Sequence, residues 1–184
     1  MYISEQLKKK NQAEYLLYLW QIEDQIRACD LDISLIEQRV LAGYQLSEEQ
    51  LIPLRQWYEE RIEMMRVEGV VTKGHLALHN NVLINLVDLH MELISSSKFP
   101  FYSGAYYKAL PFIVELRAKS QAQIRKISEV ETCFEFLYGI MLLRLQKKEL
   151  SKETTDALQP ISNLISLLAN YRDKEIKGEL KLED

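Results

Sequence analysis

Apolar residues recur every three to four positions along almost the whole chain, and no stretch alternates apolar and polar in the manner of a half-buried strand. The first such run, over 4–29, sets Tyr15, Tyr18, Leu19, Ile22, Ile26 and Cys29 on one face of a helix. Asp32 is placed to cap a short second helix, ISLIEQRVLA, and Gly43 to end it in a left-handed conformation. Ser47 and Gln50 have capping-box spacing for a third helix that runs to Gly69, with Pro53 about a turn inside it as a source of bending. Thr72 or Gly74 opens a fourth helix, closed by Ser95, Ser96 and Ser97.

The stretch 99–112, FPFYSGAYYKALPF, breaks this rhythm and reads as a stiff connection. Pro111 suits the first position of a fifth helix lasting to about Lys126. Ser128 with Glu131 forms a second capping box for a sixth helix that ends near Lys148. Ser151 starts the seventh, broken or bent at Pro160 and lasting to about Tyr171. The pattern therefore predicts an all-α fold, a single irregular helical bundle of about seven helices over 1–171, followed by a charged, frayed tail over 172–184.

Composition narrows the function classes. A chain of 184 residues can bury roughly 70% of its unfolded surface in one core. A net charge of −4 announces neither nucleic acid nor an anionic membrane as a partner. Two cysteines, Cys29 and Cys133, each inside an amphipathic run, suggest no disulfide framework and fit a reducing, cytoplasmic setting. The opening MYISEQLKKKNQ lacks the apolar core of a signal peptide, and the longest nearly uncharged apolar run, Phe136 to Leu143, is far short of the ~20 residues of a membrane span.

All three histidines lie within residues 75–90, HLALHNNVLINLVDLH. At 100° per residue they share one side of a helix, and His75 with His79, at i and i+4, could reach one metal ion. His90 lies ~16 Å further along the axis and cannot join them. Metal binding would need carboxylates from another helix, for which Glu23 or Asp24 would be the natural donors. The Glu-x-x-His signature of di-iron bundles and the HExxH signature of zinc proteases are both absent. The plainer reading is a mostly buried helix with one polar edge of Asn81, Asn85, Asp88 and Glu92 and with histidines that hydrogen-bond at helix crossings or ends.

Glu23 and Arg27 sit at i and i+4 beside Leu16 and Trp20, in an otherwise apolar sector. Charges there are normally paired, so they form either a structural ion pair or a polar pocket in which Glu23 meets a ligand or a histidine of the fourth helix. In the aromatic stretch, Phe99, Phe101, Tyr102, Tyr106 and Tyr107, with Phe112, either plug the end of the bundle or provide a dimer contact or a lid. Lysine and arginine clusters have acidic neighbours and read as solvated helix faces. Phosphate loops, a nucleophile elbow and Cys-x-x-Cys pairs are missing, and no residue presents itself as catalytic.

Two segments, KKKNQAEYLLYLWQIEDQIRACD (8–30) and YYKALPFIVELRAKS (106–120), give the chain a resemblance to an uncharacterised bacterial family, the domain of unknown function number 4924. The likeness covers essentially the whole chain and implies an entirely helical fold; it carries no activity or catalytic residues. The functional expectation is a non-enzymatic cytoplasmic interaction or structural module that self-associates, with no cofactor, nucleic acid or membrane. The alternative is a small-ligand or metal-dependent protein with a polar site made by Glu23, Arg27, His75 and His79, between the first and fourth helices of the sequence.

Overall fold

A computed structural model describes residues 2–120 and 126–181, with side chains from residue 5 onward. Among the described residues it is all-α: α1 (Tyr2–Lys10), α2 (Gln12–Ala28), α3 (Ile33–Arg39), a 3₁₀ turn (Leu41–Gly43), α4 (Glu48–Val67), α5 (Ala77–Ser95), α6 (Pro100–Lys119), α7 (Glu129–Leu145) and α8 (Lys152–Ile176). No helix among the described residues is long and apolar enough to cross a membrane.

Local capping chemistry sets several boundaries where the sequence predicts them. The Asp32 carboxylate accepts the Ser34 N–H at 2.8 Å. Gln50 Oε1 accepts the Ser47 N–H at 3.1 Å, and the Ser128 and Ser151 hydroxyls accept the third-residue N–H groups of α7 and α8 at 3.0 and 3.2 Å. Elsewhere the boundaries move. The first predicted helix is two, because the Asn11 side chain takes the Ala13 N–H at 3.1 Å and offers the backbone a local alternative to a continuous ladder. Left-handed backbone ends α2 at Asp30 and Leu31 rather than ending α3 at Gly43. α8 runs through Pro160 and on to Ile176, so the first residues of the expected tail are helical.

The largest correction is at 99–112. This stretch is the first two-thirds of a continuous helix, with Pro100, not Pro111, in the opening turn. Pro111 is accommodated inside α6 because its position is exposed: the ring faces solvent instead of packed neighbours, and the Tyr107 carbonyl that loses its helical donor belongs to an exposed residue. The predicted end of that helix near Lys126 is replaced by Lys119, with 121–125 outside the described residues.

Contacts among the described residues gather into two compact units, one within 2–10 and 14–82, the other within 11–13, 83–120 and 126–181. The first is built on Ile22, Ile26, Ile36, Trp57, Tyr58, Ile62, Met65 and Leu76. In the second, α6 packs on α7 and α8 through Tyr102, Ala105, Ala109 and Ile113, with Phe99 and Tyr102 meeting Tyr171 edge to face. Each unit encloses one free cysteine, Cys29 in the first and Cys133 in the second.

Candidate functional site: a buried carboxylate and two histidines

Along α2, the helical period places Leu16, Leu19, Trp20, Glu23 and Ile26 in the interior of the first unit, so Glu23 occupies a position an apolar residue would otherwise fill. Its side chain is 0% exposed, and an ionised carboxylate there must find donors for both oxygens. It finds them at the start of α5. Oε1 accepts the Leu76 N–H at 2.8 Å and His79 Nδ1–H at 2.6 Å; Oε2 accepts His75 Nδ1–H at 2.5 Å. Because a carboxylate only accepts, both histidines carry hydrogen on Nδ1. Burial pushes the Glu23 carboxyl up, and the hydrogen bonds from His75, His79 and Leu76 outweigh it, holding the group at about 2.

The same contacts explain why α5 starts at Ala77 and not at Thr72 or Gly74. Leu76 is the residue before the helix, its carbonyl accepting from Asn80 N at 2.9 Å, and a leucine has no side chain with which to cap. Two carboxylates from other elements do it instead: Glu23 of α2 takes the Leu76 N–H, and Glu68, just beyond α4, takes the Ala77 N–H at 2.7 Å. Both place negative charge at the positive end of the helix dipole. The preceding turn is held by Asn80 Nδ2, which donates to the His75 carbonyl at 3.2 Å, and by Trp20, whose indole stacks on the His75 ring at 4.4 Å and 13°.

Arg27 does not pair with Glu23. Its guanidinium turns to Asp24 at 2.8 Å, to the Val70 carbonyl at 3.0 Å and to the Gly74 carbonyl, fixing the loop that leads into His75. Glu23, His75 and His79 are thus brought together, with Arg27 supporting the loop beside them. Among the described residues no group of three His, Cys, Asp or Glu side chains is arranged to hold a metal ion. One feature remains open: His79, 1% exposed, has no hydrogen-bond partner for Nε2 among the described residues. Two open clefts of the first unit, about 550 and 580 Å³, are lined by the α3–α4 region and share no residue with this cluster.

His90 lies in the second unit, where Nδ1 shares a 2.6 Å hydrogen bond with the buried Tyr102 hydroxyl. Burial lowers the His90 pKa, opposed by Glu129, and raises that of Tyr102. The aromatic residues of α6 divide. Phe99 and Tyr102 turn inward, and the half-buried Tyr106 donates to Glu129 Oε2 at 2.9 Å. Phe101 and Tyr107, 83% and 68% exposed, face out.

Sequence reasoning missed Glu68 and Glu129, whose partners, the Ala77 amide and the Tyr106 hydroxyl, belong to other elements, and it missed the outward face of α6. Directly opposite the buried face, Pro100, Gly104, Tyr107, Pro111, Val114 and Ala118 are all exposed and all uncharged. Their steps of four and three residues were legible in the sequence, but proline and glycine at three of the six positions disguised a helix as a loop.

No curated protein and no solved structure matches the chain. The family model of the domain of unknown function DUF4924 matches residues 1–179, and the chain belongs to that family.

Proposed function

We propose that this protein is a non-enzymatic helical interaction module of the cytoplasm that self-associates through the outward face of α6. The observation that carries this reading is the uncharged stripe from Pro100 to Ala118, exposed over the full length of a helix whose other face is packed. A helix of a monomer normally turns charge to solvent on that side; contiguous exposed apolar surface marks an interaction site. Two supports come from elsewhere in the molecule. Both cysteines are free thiols, as a reducing compartment favours. Both Glu23 oxygens are engaged by internal donors, which gives the histidine cluster a sufficient role in anchoring α5.

The test is the mass of the protein in solution. Tyr107→Glu places a charge in the stripe and lowers the apparent mass in light scattering while circular dichroism stays helical; a wild-type chain that scatters as a monomer at high concentration overturns the reading. A second reading, a metal- or small-ligand-dependent protein, draws on the unpartnered Nε2 of His79. Elemental analysis of the purified protein tests it: a stoichiometric metal whose removal by a chelator lowers the melting temperature would establish it over the first.

A further inference from the structure

The α6 stripe also specifies how two copies meet. Seen down the helix, Lys108 and Glu115 lie on one flank of the stripe, seven residues apart and therefore two turns from each other on the same side. Both are exposed. The other flank carries Ser103, Leu110 and Arg117, whose guanidinium donates to the Ile127 carbonyl at 2.7 Å within the same unit. Lys119, on the same flank, is engaged by Glu115 and Glu153, and Lys108 with Glu115 beside the uncharged seam makes an arrangement complementary to its own reverse.

We infer that α6 pairs with α6 of a second copy in antiparallel fashion about a two-fold axis, with Tyr107 opposite Ala118 of the second copy, Pro111 opposite Val114, and Lys108 facing Glu115 across the flank, each contact made twice. The inference rests on the reading of α6 as the self-association face. Three arguments select this arrangement. The 4-3-4-3-4 spacing of the stripe is the seam spacing of helices that mesh side chain into gap. A parallel pair would stack Tyr107 on Tyr107, align the two helix dipoles unfavourably and leave the flank charges unmatched, whereas the antiparallel pair sets the bulkiest residue of the seam over the small side chain of Ala118 and opposes the dipoles. The alternative antiparallel register, displaced by one heptad, brings Lys108 against Lys108; like charges face each other there, while the chosen register joins unlike ones.

Glu115 also accepts from Lys119 at 2.7 Å through Oε1. That pair is about half exposed and leaves the second oxygen able to meet a lysine from outside. With about three turns per copy in contact, the interface falls below the ~1,200 Å² of stable complexes, so the association is weak and is measured at high protein concentration.

Sedimentation equilibrium on the full chain tests both levels. Wild type associates, and Tyr107→Glu does not. Lys108→Glu and Glu115→Lys, each of which sets like charges together at two places, weaken association roughly ten-fold, and the double variant Lys108→Glu with Glu115→Lys restores it. Helical circular dichroism verifies that every variant is folded. If wild type and Tyr107→Glu are both monomeric, or associate alike, the self-association reading itself falls. If Tyr107→Glu dissociates the protein but the double swap is no tighter than its parents, the face stands and the antiparallel register is wrong. A mixture of Pro111→Cys and Val114→Cys chains that gains no more intermolecular disulfide on oxidation than either variant alone overturns the register independently.

Discussion

Each unit buries a histidine, and the two are partnered in opposite ways. In the first, His79 shares the Glu23 carboxylate with His75 and the Leu76 amide, so a full charge sits in the interior at the end of a helix. In the second, His90 hydrogen-bonds the Tyr102 hydroxyl, a neutral partner, and its ring lies edge-on to Tyr102 and Tyr106. The first arrangement depends on every donor around it, because a buried charge that loses them is strongly destabilising; the second risks only a neutral hydrogen bond. Charge is admitted where unsatisfied backbone N–H groups need it, at the mouth of α5, and excluded where two helix faces simply meet.

The sharpest way to break that contrast is Glu23→Ala. It strips three donors of their acceptor and should cost about 3–5 kcal/mol in denaturant melts; a loss below ~1 kcal/mol would mean that the carboxylate is incidental to the start of α5. Acid comes next. Glu23 titrates at about 2 in the folded chain against 4.5 as its ordinary value, so its contribution of about 3 kcal/mol is present above pH 4.5 and fades as the pH falls toward 2. His90, lowered from 6.5 by burial, draws its effect from a different window: the unfolded chain takes up the proton first, so stability falls as the pH drops below 6.5. Melting temperature against pH should accordingly lose its acid limb in Glu23→Gln and its shallower limb just below pH 6.5 in His90→Asn.

Smaller effects sharpen the comparison. Tyr102→Phe removes one neutral hydrogen bond from a buried pair and should cost about 1–2 kcal/mol by chemical denaturation, well short of Glu23→Ala. Glu68→Ala removes an exposed cap from the Ala77 N–H and should cost about 1 kcal/mol, while Lys181→Ala, on exposed chain beyond α8, should change stability by less than ~0.5 kcal/mol. If Glu68→Ala proved as damaging as Glu23→Ala, burial would not be what distinguishes the two carboxylates.

What the sequence allows one to read is set by the range of the interaction. Asp32, Ser128 and Ser151 accept from amides two or three residues on, Gln50 accepts from the Ser47 amide three residues back, and their helices begin where expected. Glu23 could be singled out because it sits in an apolar sector, and a histidine of the fourth predicted helix is one of the partners that sector suggests, beside an ion pair or a ligand. That it would settle on the Leu76 amide, 53 residues along, was not legible, because the capping group and the helix it caps belong to different elements. The aromatic stretch misled for another reason. Pro111 and Gly104 are helix breakers by intrinsic preference, but on the outward face of α6 a proline crowds no neighbour within its own unit, and tertiary packing of Tyr102, Ala105 and Ala109 on the other face overrides the preference.

The enclosure of a single thiol in each unit has a kinetic consequence. Cys133 is pushed up to about 12 by burial, so in the closed state it is hardly ever a thiolate and resists alkylation at neutral pH. Cys29 is shielded by the interior of the other unit. An alkylating reagent can therefore reach each sulfur only through an excursion that opens the residues around it, and the rate at which each cysteine-bearing peptide gains the label clocks that excursion. Labelled at two sites in one chain, the protein carries its own pair of stopwatches, able to show whether the two units breathe together or at separate tempos.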